Sequence, residues 1–149
     1  MADIKLTHGT WVVVADGEKA LFLQNEGDSH YPNLTVIREM ETENPPTREQ
    51  GTDRPGRYND GPGVHRSAVE DTDWHRVAKE RFAVEIASRL YRMVHRGDIR
   101  NLVVVAPPLV LGELREQLHK EVQHVLTAEV PKTLTNHPIH EIENNLLAA

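Results

Sequence analysis

Hydrophobic positions along the chain fall into short blocks whose rhythm changes from strand to helix and back. Trp11, Val12, Val13, Val14 and Ala15 form a continuous apolar run rich in β-branched valine. Asp16 and Gly17 follow as a turn pair, and Ala20, Leu21, Phe22 and Leu23 resume the apolar pattern, so the segment reads as a β-hairpin. Residues 34–40 supply a third strand, with Leu34, Val36 and Ile37 apolar ahead of Arg38 and Glu39. Three strands joined by short turns predict an antiparallel meander.

The pattern then breaks. Between Glu43 and Asp71, Pro45, Pro46, Pro55 and Pro62 alternate with Gly51, Gly56, Gly61 and Gly63 among charged residues. A long mobile loop over about 43–72 is expected, because neither a helix nor a ladder persists through such spacing. Loops of this length inside a compact domain are uncommon and point either to a binding element or to a solvated connection.

Helical rhythm starts at Asp73, where Thr72 or Asp73 can cap the first turn. Trp74, Ala78, Phe82, Ile86 and Leu90 recur every fourth residue, Val77, Met93 and Val94 widen the stripe, and Gly97 is placed to end it. Residues 102–106 are an almost unbroken apolar run of the kind buried on both faces of a sheet. Pro107-Pro108 ends that run and opens a helix whose inner face is Leu111, Leu114 and Leu118. Gly112 within this helix costs about 1 kcal/mol relative to alanine, and close helix-to-sheet packing is the expected reason. Residues 122–130 read as a fifth strand closed by Pro131, and residues 138–147 as a last helix burying Ile139, Ile142 and Leu146.

The resulting order is strand, strand, strand, helix, strand, helix, strand, helix. Right-handed crossovers would set the two later strands parallel to the first strand of the meander. This predicts an α/β fold of ribonuclease H-like layout: a mixed five-stranded sheet, three strands antiparallel and two parallel, with helices on both faces. At 149 residues the chain has material for one domain.

Composition narrows the chemistry. There is no cysteine, which excludes disulfides, thiolate metal sites and a cysteine nucleophile. The longest apolar run, residues 102–111, is too short to cross a bilayer and holds two prolines, and the N-terminal stretch lacks the apolar core of a signal peptide. A cytoplasmic protein without membrane insertion is expected. The formal net charge of −6 argues against a broad electrostatic grip on nucleic acid, so any such contact must be local.

Several stretches resemble the bacterial host-attachment proteins. They are Trp11-Val12-Val13-Val14-Ala15-Asp16-Gly17 with Lys19-Ala20, the Phe82-Ala83 pair, Ala106-Pro107-Pro108 followed by Leu111-Gly112-Glu113-Leu114-Arg115, and Pro138-Ile139-His140-Glu141-Ile142. The resemblance covers nearly the whole chain and implies a role in attachment to host cells. Where such proteins commonly carry an acidic residue near the end, this chain has Lys132-Thr133-Leu134-Thr135. The same family is similar to the middle domain of archaeal and eukaryotic peptide release factors, which implies a ribosome or tRNA partner. Those factors act through a Gly-Gly-Gln tip; the nearest stretch here, Asp60-Gly61-Pro62-Gly63-Val64-His65, has no glutamine, so the resemblance does not extend to peptide release.

Individual residues were weighed for chemistry. Asp16 stands where ribonuclease H-like nucleases place their first metal-binding carboxylate, but a two-metal mechanism needs further carboxylates beside it. Residues 102–106 end in alanine before proline, so the set is incomplete, and a turn-forming role for Asp16 is the simpler account. His137, His140 and Glu141 lack the zincin spacing and suit a solvated helix start; His119 and His124 suit a surface turn. Arg48, Arg54, Arg57 and Arg66 make the proline- and glycine-rich segment locally basic, with Tyr58 available to stack on a base, although its acidic residues offset much of that charge. The Pro107-Pro108 turn, at the carboxyl end of a strand, is the default pocket.

The first reading is therefore a non-catalytic binding or adaptor protein of the host-attachment family, with no cofactor, no metal and no catalytic residue assigned. Candidate binding positions are Asp16, Arg54, Arg57, Tyr58, His65, Arg66, Pro107, Pro108 and Arg115. The alternatives are a translation-linked ribosome- or tRNA-binding protein and a metal-dependent nuclease or hydrolase. The partner is an unidentified protein or RNA, or a second copy paired through the edge strand at residues 34–40.

Overall fold

The valine-rich run forms β1 (Trp11–Ala15), which lies at the centre of the sheet because both its faces are apolar. It is followed by β2 (Lys19–Asn25), β3 (Leu34–Glu41), α1 (Gly61–His95), β4 (Leu102–Val105), α2 (Pro108–Gln117), α3 (Lys120–Val125), β5 (Leu126–Val130) and α4 (Ile139–Ala148). The computed structural model describes residues 4–42 and 61–148. The strands are ordered β3-β2-β1-β4-β5. β1 pairs antiparallel with β2 and parallel with β4, and β4 pairs parallel with β5, which is the mixed arrangement the sequence predicts.

Strand alternation divides the core in two. Trp11, Val13, Ala15, Phe22, Leu102 and Val104 point to one face, where Phe82, Ile86, Leu90 and Met93 of α1 and Leu111 and Leu114 of α2 cover them. Val12, Val14, Leu23, Val103 and Val105 point to the other, against Leu6, Leu134 and the α4 residues Ile142 and Leu146. Each fully buried side chain of this size contributes on the order of 1.5–3 kcal/mol by leaving water. Helices thus cover both faces, with α1, α2 and α3 on one and α4 on the other.

Gly97 ends α1 as expected. Its φ of +87° is open to glycine, and the amides of Gly97 and Asp98 bond back to the carbonyls of Val94 and Met93 at 2.9 Å each, closing a Schellman motif.

Three expectations need correction. Helix α1 begins at Gly61, so the irregular segment does not run to residue 72. Proline is tolerated in a first turn, where its missing N–H has no helical partner, and Pro62 does not break the helix. The rest of the expected loop, residues 43–60, lies outside the described residues. Second, the fifth strand begins at Leu126, and residues 120–125 form α3 instead. Val122 and Val125 are three apart and share a helical face toward the α1 core, which is why this valine-rich stretch is helical rather than extended. Third, Gly112 faces open space, with nothing within 4 Å of where a Cβ would stand, so close packing does not explain it. The apolar stripe of α1 also narrows: Val77 is exposed, and continuous burial starts at Phe82.

Candidate functional site

The register that pairs Val14 with Val105 sets Asp16 and Pro107 level at the carboxyl end of the parallel strands. There both oxygens of the Asp16 carboxylate are engaged. Oδ1 accepts from the amides of Glu18 and Lys19 at 2.8 Å each, which shapes the β1–β2 turn, and Oδ2 accepts the Thr135 hydroxyl at 2.6 Å. Thr135 is buried and lies in the segment between β5 and α4, so this bond ties the two sides of the sheet end together. Gly17 makes room for Lys79 of α1: a Cβ at 17 would stand 2.9 Å from the lysine side chain.

Asp16 therefore frames a turn. Among the described residues no group of three or more His, Asp or Glu side chains gathers as a metal ion would require.

Pro107 precedes α2 with extended backbone, φ −60° and ψ 156°, and Pro108 is its first residue. The two prolines start the helix as expected, and they do not line the groove between α1 and α2. A space of about 430 Å³ runs between α1 and α2, lined by residues including Val77, Glu80, Arg81, Val84, Glu113 and Glu116. Both parallel crossovers pack on the same face of the sheet. Burial, then Glu80, raises the Glu113 carboxyl above its ordinary value, and Glu116 adds to this while Lys79 opposes it.

Arg115 is committed to Glu129, with its Nε and Nη2 at 2.7 and 2.6 Å from the same carboxylate oxygen. The hydrogen bond and charge of Glu129 hold the guanidinium pKa above its usual value, and the pair links α2 to β5. His65 and Arg66 fall in the early turns of α1, while Arg54, Arg57 and Tyr58 lie outside the described residues. Among the described residues, Asp16 and Pro107 share one end of the sheet while Arg115 is engaged by Glu129. His119, His137 and His140 have a structural duty or face solvent. His119 caps α3 by accepting from the Glu121 amide and packs on Tyr91 at 4.3 Å, and His137 and His140 are exposed.

Sequence reasoning missed Asn25 as well as Thr135. Asn25 is fully buried at the end of β2; its amide nitrogen donates to the carbonyls of Leu6 and Thr7, and its oxygen accepts from Gly27 and Asn33 at 2.9 and 2.8 Å. An asparagine at the end of an apolar strand, two residues before glycine, was the available signal.

A family model described as bacterial archaeo-eukaryotic release factor family 12 matches residues 9–146. The chain belongs to that family. The assignment overturns the host-attachment reading, whose carrier stretches all lie inside the matched region. Among solved structures, the domain is similar to Saccharomyces cerevisiae Dom34, described as a translation termination-like factor involved in RNA quality control pathways and interacting with Hbs1. The identity is 14%, the TM-score 0.46, and the likeness covers 99% of this chain and 36% of that one, so the family 12 domain spans about a third of that structure. No curated protein matches the chain.

Proposed function

We propose that this release-factor family 12 domain is a translation-linked binding protein that engages the ribosome or tRNA. The observation that carries the reading is the family match across residues 9–146, which takes in every strand and almost all of the last helix. Two features favour binding over chemistry. The sequence contains no Gly-Gly-Gln, and the Asp16 carboxylate is spent on Thr135 and the turn amides. The basic positions Arg54 and Arg57 join this proposal as contacts to RNA phosphate.

Pelleting of the full chain with purified bacterial ribosomes tests the idea. Association that weakens when Arg54 and Arg57 are changed to glutamate supports it. A chain that stays in the supernatant at low salt, with ribosomes in excess, refutes it.

A further inference from the structure

Charge is unevenly spread on this acidic chain. Arg89, Arg92 and Arg96 follow one another at spacings of three and four along α1, which sets them on one face of the helix over roughly 10 Å of its axis. Arg38 of β3 joins them. It pairs with Phe22, and its strand neighbour two residues on, Met40, packs into the core on the α1 side, so strand alternation turns Arg38 toward the same layer. Glu39 and Glu41 alternate to the opposite face.

The guanidinium groups are poorly compensated. Arg96 is paired with Asp98 at 2.7 Å, and Arg92 donates to the Ser88 hydroxyl at 3.3 Å. Arg89 has its Nε out of solvent with no hydrogen-bond partner among the described residues. Burial lowers its pKa, and Arg38, Arg92 and Arg96 lower it further, so the neighbouring charges acting on it are positive. A sheltered, unmatched donor among like charges is a cost to the fold that an incoming anion would offset.

We propose that Arg38, Arg89, Arg92 and Arg96 form a phosphate-binding face that holds an RNA backbone. The choice of RNA rests on the translation-linked reading and on two features of the surface. Planar guanidinium forks match phosphate oxygens two at a time, and a stripe of this length is long enough to meet more than one phosphate of a strand. Among the described residues, the exposed large apolar side chains Tyr31, Ile37, Val77, Val84, Leu109 and Leu147 do not belong to this stripe, so its described part lacks the apolar anchor on which a protein interface usually centres.

The test measures binding of the full chain to a fluorescein-labelled RNA hairpin, to purified ribosomes and to a polyglutamate peptide. Changing Arg89, Arg92 and Arg96 together to glutamine should weaken hairpin binding on the order of 100-fold at about 0.1 M salt, and should flatten the salt dependence by about 0.7–0.9 per lost contact. Arg38→Gln should cost roughly 5-fold on the same basis. The triple lysine variant should recover much of the affinity, which separates charge from folding, and Lys5→Gln, on the far side of the sheet, should change nothing. Unaltered hairpin affinity in the triple glutamine variant overturns the proposal, and so does arginine-dependent capture of polyglutamate without arginine-dependent RNA binding. Arginine-dependent hairpin binding by a chain that ignores ribosomes would keep the phosphate face and discard the translation-linked reading.

Discussion

Asp16 and Arg89 are both charged, partly sheltered side chains, yet they sit at opposite extremes of satisfaction. Asp16 spends both oxygens on two turn amides and a buried hydroxyl, whereas Arg89 holds an unpartnered Nε beside three other guanidinium groups. A saturated polar group specifies geometry and has little left to offer a ligand. An unsatisfied one carries a standing cost, which is the mark of a surface completed by something else. Asp16, for which a turn-forming role was the simpler expectation, is thus architectural, and the arginine face of α1 is the stronger candidate for contact.

That contrast can be attacked at several points. The largest effect is expected from Asn25: Asn25→Ala strands the Gly27 and Asn33 amides and the Leu6 carbonyl, while the Thr7 carbonyl keeps the Thr10 amide, and should cost about 3 kcal/mol, read from the denaturation midpoint. A loss under about 1 kcal/mol would show that water replaces these bonds readily. Asp16→Ala removes three acceptor bonds at a wetter position and should cost about 2 kcal/mol, while Asp16→Asn, which keeps an acceptor for the turn amides, should retain most of the stability. If Asp16→Asn instead abolished a divalent-ion-dependent activity, the architectural role would be wrong.

Smaller effects probe places where the fold leaves energy unused. Gly112→Ala should stabilise the domain by about 0.5–1 kcal/mol, since the position is helical, has no positive φ and meets open space. Arg89→Met keeps the aliphatic stem and removes the charge. It should leave the melting temperature unchanged or slightly raised at low salt, with the difference shrinking as salt screens the remaining arginines. A clear fall in stability would mean that the Arg89 guanidinium is better satisfied than its geometry indicates. Glu113→Gln belongs to the same class. A carboxyl whose pKa is raised on folding favours the native state below its unfolded pKa and loses that advantage as pH rises through the folded value, so the glutamine variant should be the more stable at neutral pH and should lose its lead on acidification.

Much of the architecture was legible in the chain itself. The valine run of β1, the Asp16-Gly17 turn, the Pro107-Pro108 boundary and the Gly97 stop are local signals whose cause lies in a few adjacent residues. Local sterics and side-chain periodicity therefore determined the strand order and the mixed sheet. The helix starts at Gly61 and Lys120 were misread because short proline-glycine and valine patterns are compatible with more than one backbone state until tertiary contacts select one. Only the folded sheet decided the rest: Thr135 meets Asp16 across 119 positions of chain, and Arg38 meets the α1 arginines only because β3 runs along the edge beside that helix. Polar pairing and charge repulsion act through space, so distance in the sequence carries no record of them.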